Sequence, residues 1–354
     1  MKRKAILLLI LSIAVCLFGV GCSEPAPSAL EREAGNEANS QEPYEIQIVS
    51  LPMGYEIYNA GIGLAEIINK NSTWLKAVGV EGKNPTVSTK TLIAEPNKKK
   101  NTVFFMDAYT PWAGQNKIGG YADVNYDFSK FRGLYTLTCG PNALIVVDPN
   151  IKTLQDLKGK TFVPASTPNS EIDVIFQGIF EEVGILDDVN IEYMNTSSAA
   201  EALRDGKVDA IMVTLSLSDL EKNEWLPSPS LLELVAMEDV YPLSIPAEHI
   251  NAFAQKSGCP AITLDLPPGT ISPLQIEPLG ALNKHLMWGV HVDMPDNVVN
   301  EILSIVYENM DELKKYTTNV PTQETMATMG LPEELVHPAA VQFYKKHNIP
   351  ITSY

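Results

Sequence analysis

The residue types that carry most enzyme chemistry are present in this 354-residue chain, but not at the spacings that chemistry needs. His249, His285, His291, His337 and His347 lack metal-ligand spacing and read as surface or satisfied structural histidines. The chain has no Gly-x-Ser-x-Gly and no His-Glu-x-x-His, and it places no Ser-His-Asp or Cys-His set. Gly159-Lys160-Thr161 resembles the tail of a phosphate loop. Leu154 stands where that loop needs its first glycine, however, and the triplet precedes a strand instead of following one. Gly61-Ile62-Gly63 has Glu66 where a dinucleotide loop wants glycine and lies inside a helical pattern, so these are packing glycines. No cofactor, no metal and no enzymatic activity are expected.

What remains is the chemistry of ligand binding. In open α/β sheets ligands sit beyond the carboxyl ends of the strands. Here those ends are small and polar: Ser50–Tyr58, Ser88-Thr89-Lys90, Asp107-Ala108-Tyr109, Ser166–Ser170 and Thr214–Ser218. The candidate ligand-binding residues are Tyr58, Ser88, Thr89, Asp107, Ser166, Thr167, Asn169, Ser170 and Thr214. Pro164–Ser170 also opens a helix, whose free N–H groups and dipole favour an anion, with Asn169 or Ser170 as the cap. Beyond residue 21 the only arginines are Arg32, Arg132 and Arg204, so a bidentate clamp on a carboxylate is not evident. An acid would rely on helix N-termini, hydroxyls and Lys90, while Glu56 and Asp107 would suit an ammonium group. That set fits a zwitterion better than a bare dicarboxylate.

The elements that must position these residues alternate strand and helix. Tyr44–Ser50, Thr86–Ser88, Thr102–Met106, Ala143–Val147, Thr161–Val163, Ile191–Met194 and Val208–Val213 read as strands. Helical faces are formed by Ala60, Leu64, Ile67 and Ile68, and by Ile172, Ile175, Phe176, Ile179 and Phe180 ahead of Gly184. Ser198 and Glu201 have capping-box spacing, Asp296–Tyr316 reads as one long helix, and Pro338 opens a last one. The class is α/β with largely parallel sheets. Cys139 and Cys259 could pair or could each be a small buried residue.

Forty-five per cent hydrophobic residues support a packed body, and a net charge of −17 argues against nucleic acid as a partner. Met1–Lys4 carries three cations, Ala5–Val20 is almost wholly apolar, and Gly21-Cys22-Ser23 follows. This is the pattern of a bacterial export signal over residues 1–21. Cys22 after Gly19-Val20-Gly21 resembles a lipobox, in which the thiol is acylated and anchors the protein to membrane lipid. Residues 22–43, rich in Ser, Glu, Ala, Asn and Pro, read as a disordered tether.

Three stretches resemble one family. They are Leu154–Lys160 (L-Q-D-L-K-G-K), Tyr193-Met194-Asn195 leading through Ser197–Leu203 to Asp205-Gly206-Lys207-Val208-Asp209-Ala210, and His337-Pro338-Ala339-Ala340-Val341-Gln342-Phe343-Tyr344. With Tyr58, Gly61 and Ala65-Glu66, they make the chain similar, from about residue 46 to 346, to the TAXI family of TRAP-transporter solute-binding proteins. The resemblance implies the type II periplasmic-binding-protein fold: two α/β lobes, a hinge and an interlobe cleft. Lobe I would comprise residues 44–142 and 283–354, and lobe II residues 143–282. It also implies a monomeric receptor outside the cytoplasm that binds a glutamate-like amino acid or small organic acid and delivers it to a fused small and large permease subunit. A sensor or envelope lipoprotein on the same fold, or an exported enzyme, are the alternatives. The first loop, Pro52–Tyr58, lacks the paired glycines usual in the family, and the segment between Ser88 and Asp107 is short, broken at Pro96–Asn101.

Overall fold

The computed structural model describes residues 42–53, 55–219 and 224–352. The signal segment, Cys22 and nearly all of the expected tether lie outside the described residues. In chain order the first half comprises β1 (Tyr44–Val49), α1 (Glu56–Asn71), β2 (Leu75–Val80), α2 (Pro85–Ala94), β3 (Thr102–Asp107), α3 (Tyr109–Gln115), β4 (Phe131–Cys139) and β5 (Asn142–Val146). Then come β6 (Thr161–Ala165), α4 (Glu171–Val183), β7 (Asn190–Tyr193), α5 (Thr196–Arg204), β8 (Ala210–Asp219), β9 (Glu224–Pro227), α6 (Pro229–Met237), β10 (Tyr241–Leu243), α7 (Ala247–Ser257) and β11 (Ile262–Leu266). The last elements are β12 (Leu279–Asn283), β13 (His285–His291), α8 (Asp296–Glu308), α9 (Met310–Leu313) and α10 (Pro338–Lys346).

Two sheets organise these elements. The first runs β2-β1-β3-β13-β4 and the second β11-β12-β5-β8-β6-β7, with β10 also on β5 and β9 on β8. The chain leaves the first sheet between β4 and β5 through Gly140-Pro141 and returns between β12 and β13 through Lys284 alone. One apolar core surrounds the first sheet. The second sheet has a core on each face, one built with Ile175, Phe176, Ile179 and Phe180 of α4 and the other with Leu203 of α5 and Leu231 and Leu234 of α6.

The sheets are mixed, not largely parallel. β1 is parallel to β2 and β3, and β6 to β7 and β8. The strands flanking the two crossings, β4, β5, β12 and β13, pair antiparallel with their neighbours, because the second crossing retraces the first in the opposite direction. Thr86–Ser88 belongs to a helix. The β-branched Thr86 and Val87 read as strand formers, but Asn84 accepts the Val87 N–H at 2.9 Å and Pro85 occupies the first helical position, and that cap decides the conformation. The sheet position goes to β2, whose inward residues are only Leu75 and Ala77. The cap of α5 is Asn195, whose Oδ1 accepts from the Ser198 N–H at 2.9 Å, so Ser198 lies inside the helix. Asp296–Tyr316 is two helices, broken at Asn309, whose φ is −125°. Gly61 and Gly63 are packing positions: a Cβ would lie 3.0 Å from Ser50 Cβ and 2.6 Å from Tyr316 Cβ respectively. Cys139 and Cys259 are both free thiols.

Candidate ligand-binding cleft

β3 is buried along its whole length and ends at Asp107. Asp107 Oδ1 accepts from the Thr110 N–H (3.1 Å) and the Thr110 hydroxyl (3.0 Å), which ties the carboxylate to the start of α3. Asp107 Oδ2 pairs with Lys284 Nζ at 2.8 Å, and the same ammonium lies 5.5 Å from the centroid of the Tyr109 ring. The Tyr109 hydroxyl donates to the Asn283 carbonyl at 3.0 Å. The returning crossing is therefore fastened to the β3–α3 turn by an ion pair, a ring contact and a hydrogen bond.

α4 faces this cluster from the second sheet. Its apolar side is anchored in the core, and Gly184, with φ +76°, ends it. Ser170 caps it by accepting from the Asp173 N–H at 3.4 Å. Asp173 is fully buried. Its carboxylate accepts from the Asn169 N–H (2.7 Å), Gln177 Nε2 (2.8 Å) and the Tyr193 hydroxyl (3.2 Å), holding Asn169 at φ +56°. Glu171, the first residue of α4, reaches across to the first sheet's side, where the Thr86 hydroxyl donates to its Oε1 at 3.3 Å. Burial, and then the neighbouring Asp107, raise the Glu171 carboxyl above the ordinary carboxylate range. Burial pulls the Lys284 ammonium down, but Asp107 and Glu171 outweigh it and hold the group above its usual value.

Two more contacts join the sides. Gly119, φ +56°, approaches so closely that a Cβ there would lie 2.5 Å from the Asn169 carbonyl oxygen. The Thr318 hydroxyl sits 3.0 Å from the Leu217 carbonyl of β8 and 2.7 Å from Glu56 Oε1, so its one proton serves one of them. Farther out, Trp112 Nε1 donates to the Ser257 carbonyl at 3.1 Å.

The sequence candidates divide between this cleft and other places. Asp107 lies in the cluster, and Ser166, Thr167 and Asn169 are exposed on the loop entering α4, with Ser170 at its cap. Thr214, on β8, accepts from Asn142 Nδ2 at 2.8 Å. Tyr58 is half-buried in the first turn of α1. Thr89 is not available there: its buried hydroxyl bonds Tyr121 (3.0 Å) and the Pro85 carbonyl (2.9 Å). Ser88 lines a separate groove of about 280 Å³ between α2 and the β1–β2 face, with Gln47 and Thr91. Glu56 is taken by the Thr317–Thr318 turn, accepting the Thr318 N–H at 2.6 Å, and Lys90 Nζ donates to the Gly120 carbonyl at 3.1 Å. The sequence reading missed Glu171, Lys284 and Asn142. Lys284 had a signal, being the only Lys, Arg, Asp or Glu between Leu279 and Val292.

A family model described as the NMT1-like family matches residues 52–347. The chain belongs to the NMT1-like family. Among solved structures it is similar to a TctC solute-binding protein from Polaromonas, solved without ligand, at 14% identity and a TM-score of 0.51, over 87% of this chain and 98% of that one. MatC from Rhodopseudomonas palustris, solved with bound malate, matches at 14% identity and a TM-score of 0.45, over 86% and 96% of the two chains. A probable amino-acid ABC transporter extracellular-binding protein from Bacillus subtilis matches at 12% identity and a TM-score of 0.45, over 78% and 96%. At 14% identity the likeness to the TctC protein concerns architecture. This NMT1-like chain has the two-lobed α/β, type II-like fold of periplasmic solute-binding proteins.

Proposed function

We propose that the protein is an extracytoplasmic solute receptor, anchored to lipid through Cys22, of a TAXI-type TRAP transporter. It closes residues 44–142 with 283–354 onto residues 143–282 around a small organic acid or amino acid. It then delivers that ligand to the membrane permease as a monomer and transforms nothing. The observation that carries this reading is the pair of chain crossings, Gly140-Pro141 and Lys284, with the charged strand end of β3 and the N-terminus of α4 meeting beside them. Two packed bodies joined by two short strands can rotate about them, and polar groups at the joint are then covered or uncovered together. Tyr58, Asp107, Ser166, Thr167, Asn169, Ser170 and Thr214 are the proposed ligand contacts. Membership of the NMT1-like family supports the transport assignment, and the resemblance of the C-terminal His337–Tyr344 stretch supports the TAXI branch.

Native mass spectrometry of protein gently extracted from the membranes of its own cells tests the proposal. One chain should carry a small molecule released on mild activation, together with acyl mass localised to Cys22. A bare, unacylated chain with nothing bound would contradict it.

A further inference from the structure

We propose that Glu171 determines the specificity of the cleft, and that the site takes a ligand bearing an ammonium group, an amino acid or amine, in preference to an acid without one. The inference rests on the reading of the cleft as the ligand site and narrows its substrate class. The cluster already shows what it accepts, because Lys284 Nζ lies 2.8 Å from Asp107 Oδ2 and 5.5 Å from the Tyr109 ring centroid. A carboxylate and an aromatic face together make a seat for a cation. Asp107 and Glu171 bring two carboxyl groups to the one ammonium of Lys284, so the cleft holds one more acidic group than its own lysine pairs with. Glu171 bonds the Thr86 hydroxyl at 3.3 Å, and a carboxylate has room for several donors.

A second observation is independent of these charges. Asn142 is 3% exposed, and its Oδ1 has no hydrogen-bond partner among the described residues. Asn142 alternates along β5 with Leu144 and Val146, which pack in one core with Ile175 and Phe176 of α4. Its side chain therefore points to the α4 side of the second sheet. It pairs in register with Thr214, one strand from β6, whose end leads into α4. Glu171 and Asn142, both on the second sheet's side of the joint, offer acceptors, and the complement of that pair is a donor-rich cation. The N-terminus of α4, which would otherwise draw a ligand carboxylate, is met by its own first turn: Asp173 takes the Asn169 N–H, and the Glu171 carboxylate turns toward its own N–H. A ligand with carboxylates only would add further acidic groups to a desolvated joint that already holds one in excess. A zwitterion remains admissible, since Lys284 has donors beyond the one given to Asp107.

Calorimetric titration of the full chain with probe pairs that differ by the ammonium group, glutamate against glutarate and aspartate against succinate, with putrescine added, tests this. In the wild type the ammonium-bearing member of at least one pair, or putrescine, should bind roughly tenfold or more tighter than the acid lacking it. Glu171→Gln should reduce that ratio by about the same factor, and Glu171→Asp should restore part of it. The proposal is overturned if the acids lacking ammonium bind as tightly, if the ratio survives in Glu171→Gln, or if no ammonium-bearing probe binds at concentrations on the order of 10 mM. Small-angle scattering on the same samples separates the two readings. Compaction by glutarate or succinate leaves the receptor standing and removes the ammonium preference, whereas compaction by no probe counts against both.

Discussion

His291 sits at the end of β13, 1% exposed, between Tyr126 and the turn that leads to α8. Its Nδ1 accepts the Asp293 N–H at 3.1 Å, so the ring carries its proton on Nε2, 2.7 Å from the Tyr126 hydroxyl. Burial holds it near a pKa of about 4, against an ordinary 6.5, with Asp293 opposing and Lys99, Lys130 and Arg132 adding to the depression. The unfolded chain then binds a proton that the folded chain refuses. The contribution is full above about pH 6.5 and is lost as pH falls toward 4, on the order of 3 kcal/mol over the window. Urea melts at pH 7 and pH 5 should show a smaller loss of stability on acidification for His291→Asn than for the wild type. An equal loss in both would show that His291 does not carry the effect. His337 has a similar environment. Its Nδ1 accepts from the Ala339 N–H at 3.3 Å and caps α10 ahead of Pro338, the specific form taken by the structural histidine expected there.

Among the elements, α4 was legible from the sequence because three signals agree on it: Ser170 as cap, apolar residues at helical spacing and Gly184 in the left-handed conformation at its end. The same logic failed at α2, where Thr86–Ser88 reads as a strand and the Asn84–Pro85 cap that starts the helix went unused, and at α5, where a capping-box pattern at Ser198 hid the cap three residues earlier. The site was less legible than the helices. Glu171 and Thr86 are 85 residues apart in sequence, and no local pattern says that the first turn of α4 faces the first turn of α2. Those two sides also approach closely at Gly119 against Asn169. Gly119→Ala adds a methyl group whose ideal position is 2.5 Å from the Asn169 carbonyl oxygen, at a φ of +56° that alanine resists. The neighbouring backbone cannot yield without opening the contact. Ligand affinity should fall by roughly tenfold or more, while the melting temperature drops by only a few degrees. Full affinity in Gly119→Ala would show that this contact is not part of the closed state.

At the scale of the whole molecule, two sheets with separate cores are joined by Gly140-Pro141 and Lys284. The α/β class was readable from alternating strands and helices, and the two-lobed fold was implied by the family resemblance alone. The antiparallel crossings were not, because strand direction depends on where the chain returns and not on any residue in the strand. The joint is also where the ion pair, the Glu171 bridge and the Gly119 approach converge, so a bound molecule would couple to lobe position through all three. Small-angle scattering of ligand-stripped protein measures that coupling most directly. Protein purified gently is compared with the same protein unfolded in guanidinium, freed of small molecules and refolded, before and after the low-mass fraction is returned. If the lobes close on a ligand, stripping raises the radius of gyration and returning that fraction lowers it to the starting value. Superimposable curves for the three samples, with the stripped protein refolded and the low-mass fraction confirmed to contain the released compound, would contradict closure of the lobes around a ligand.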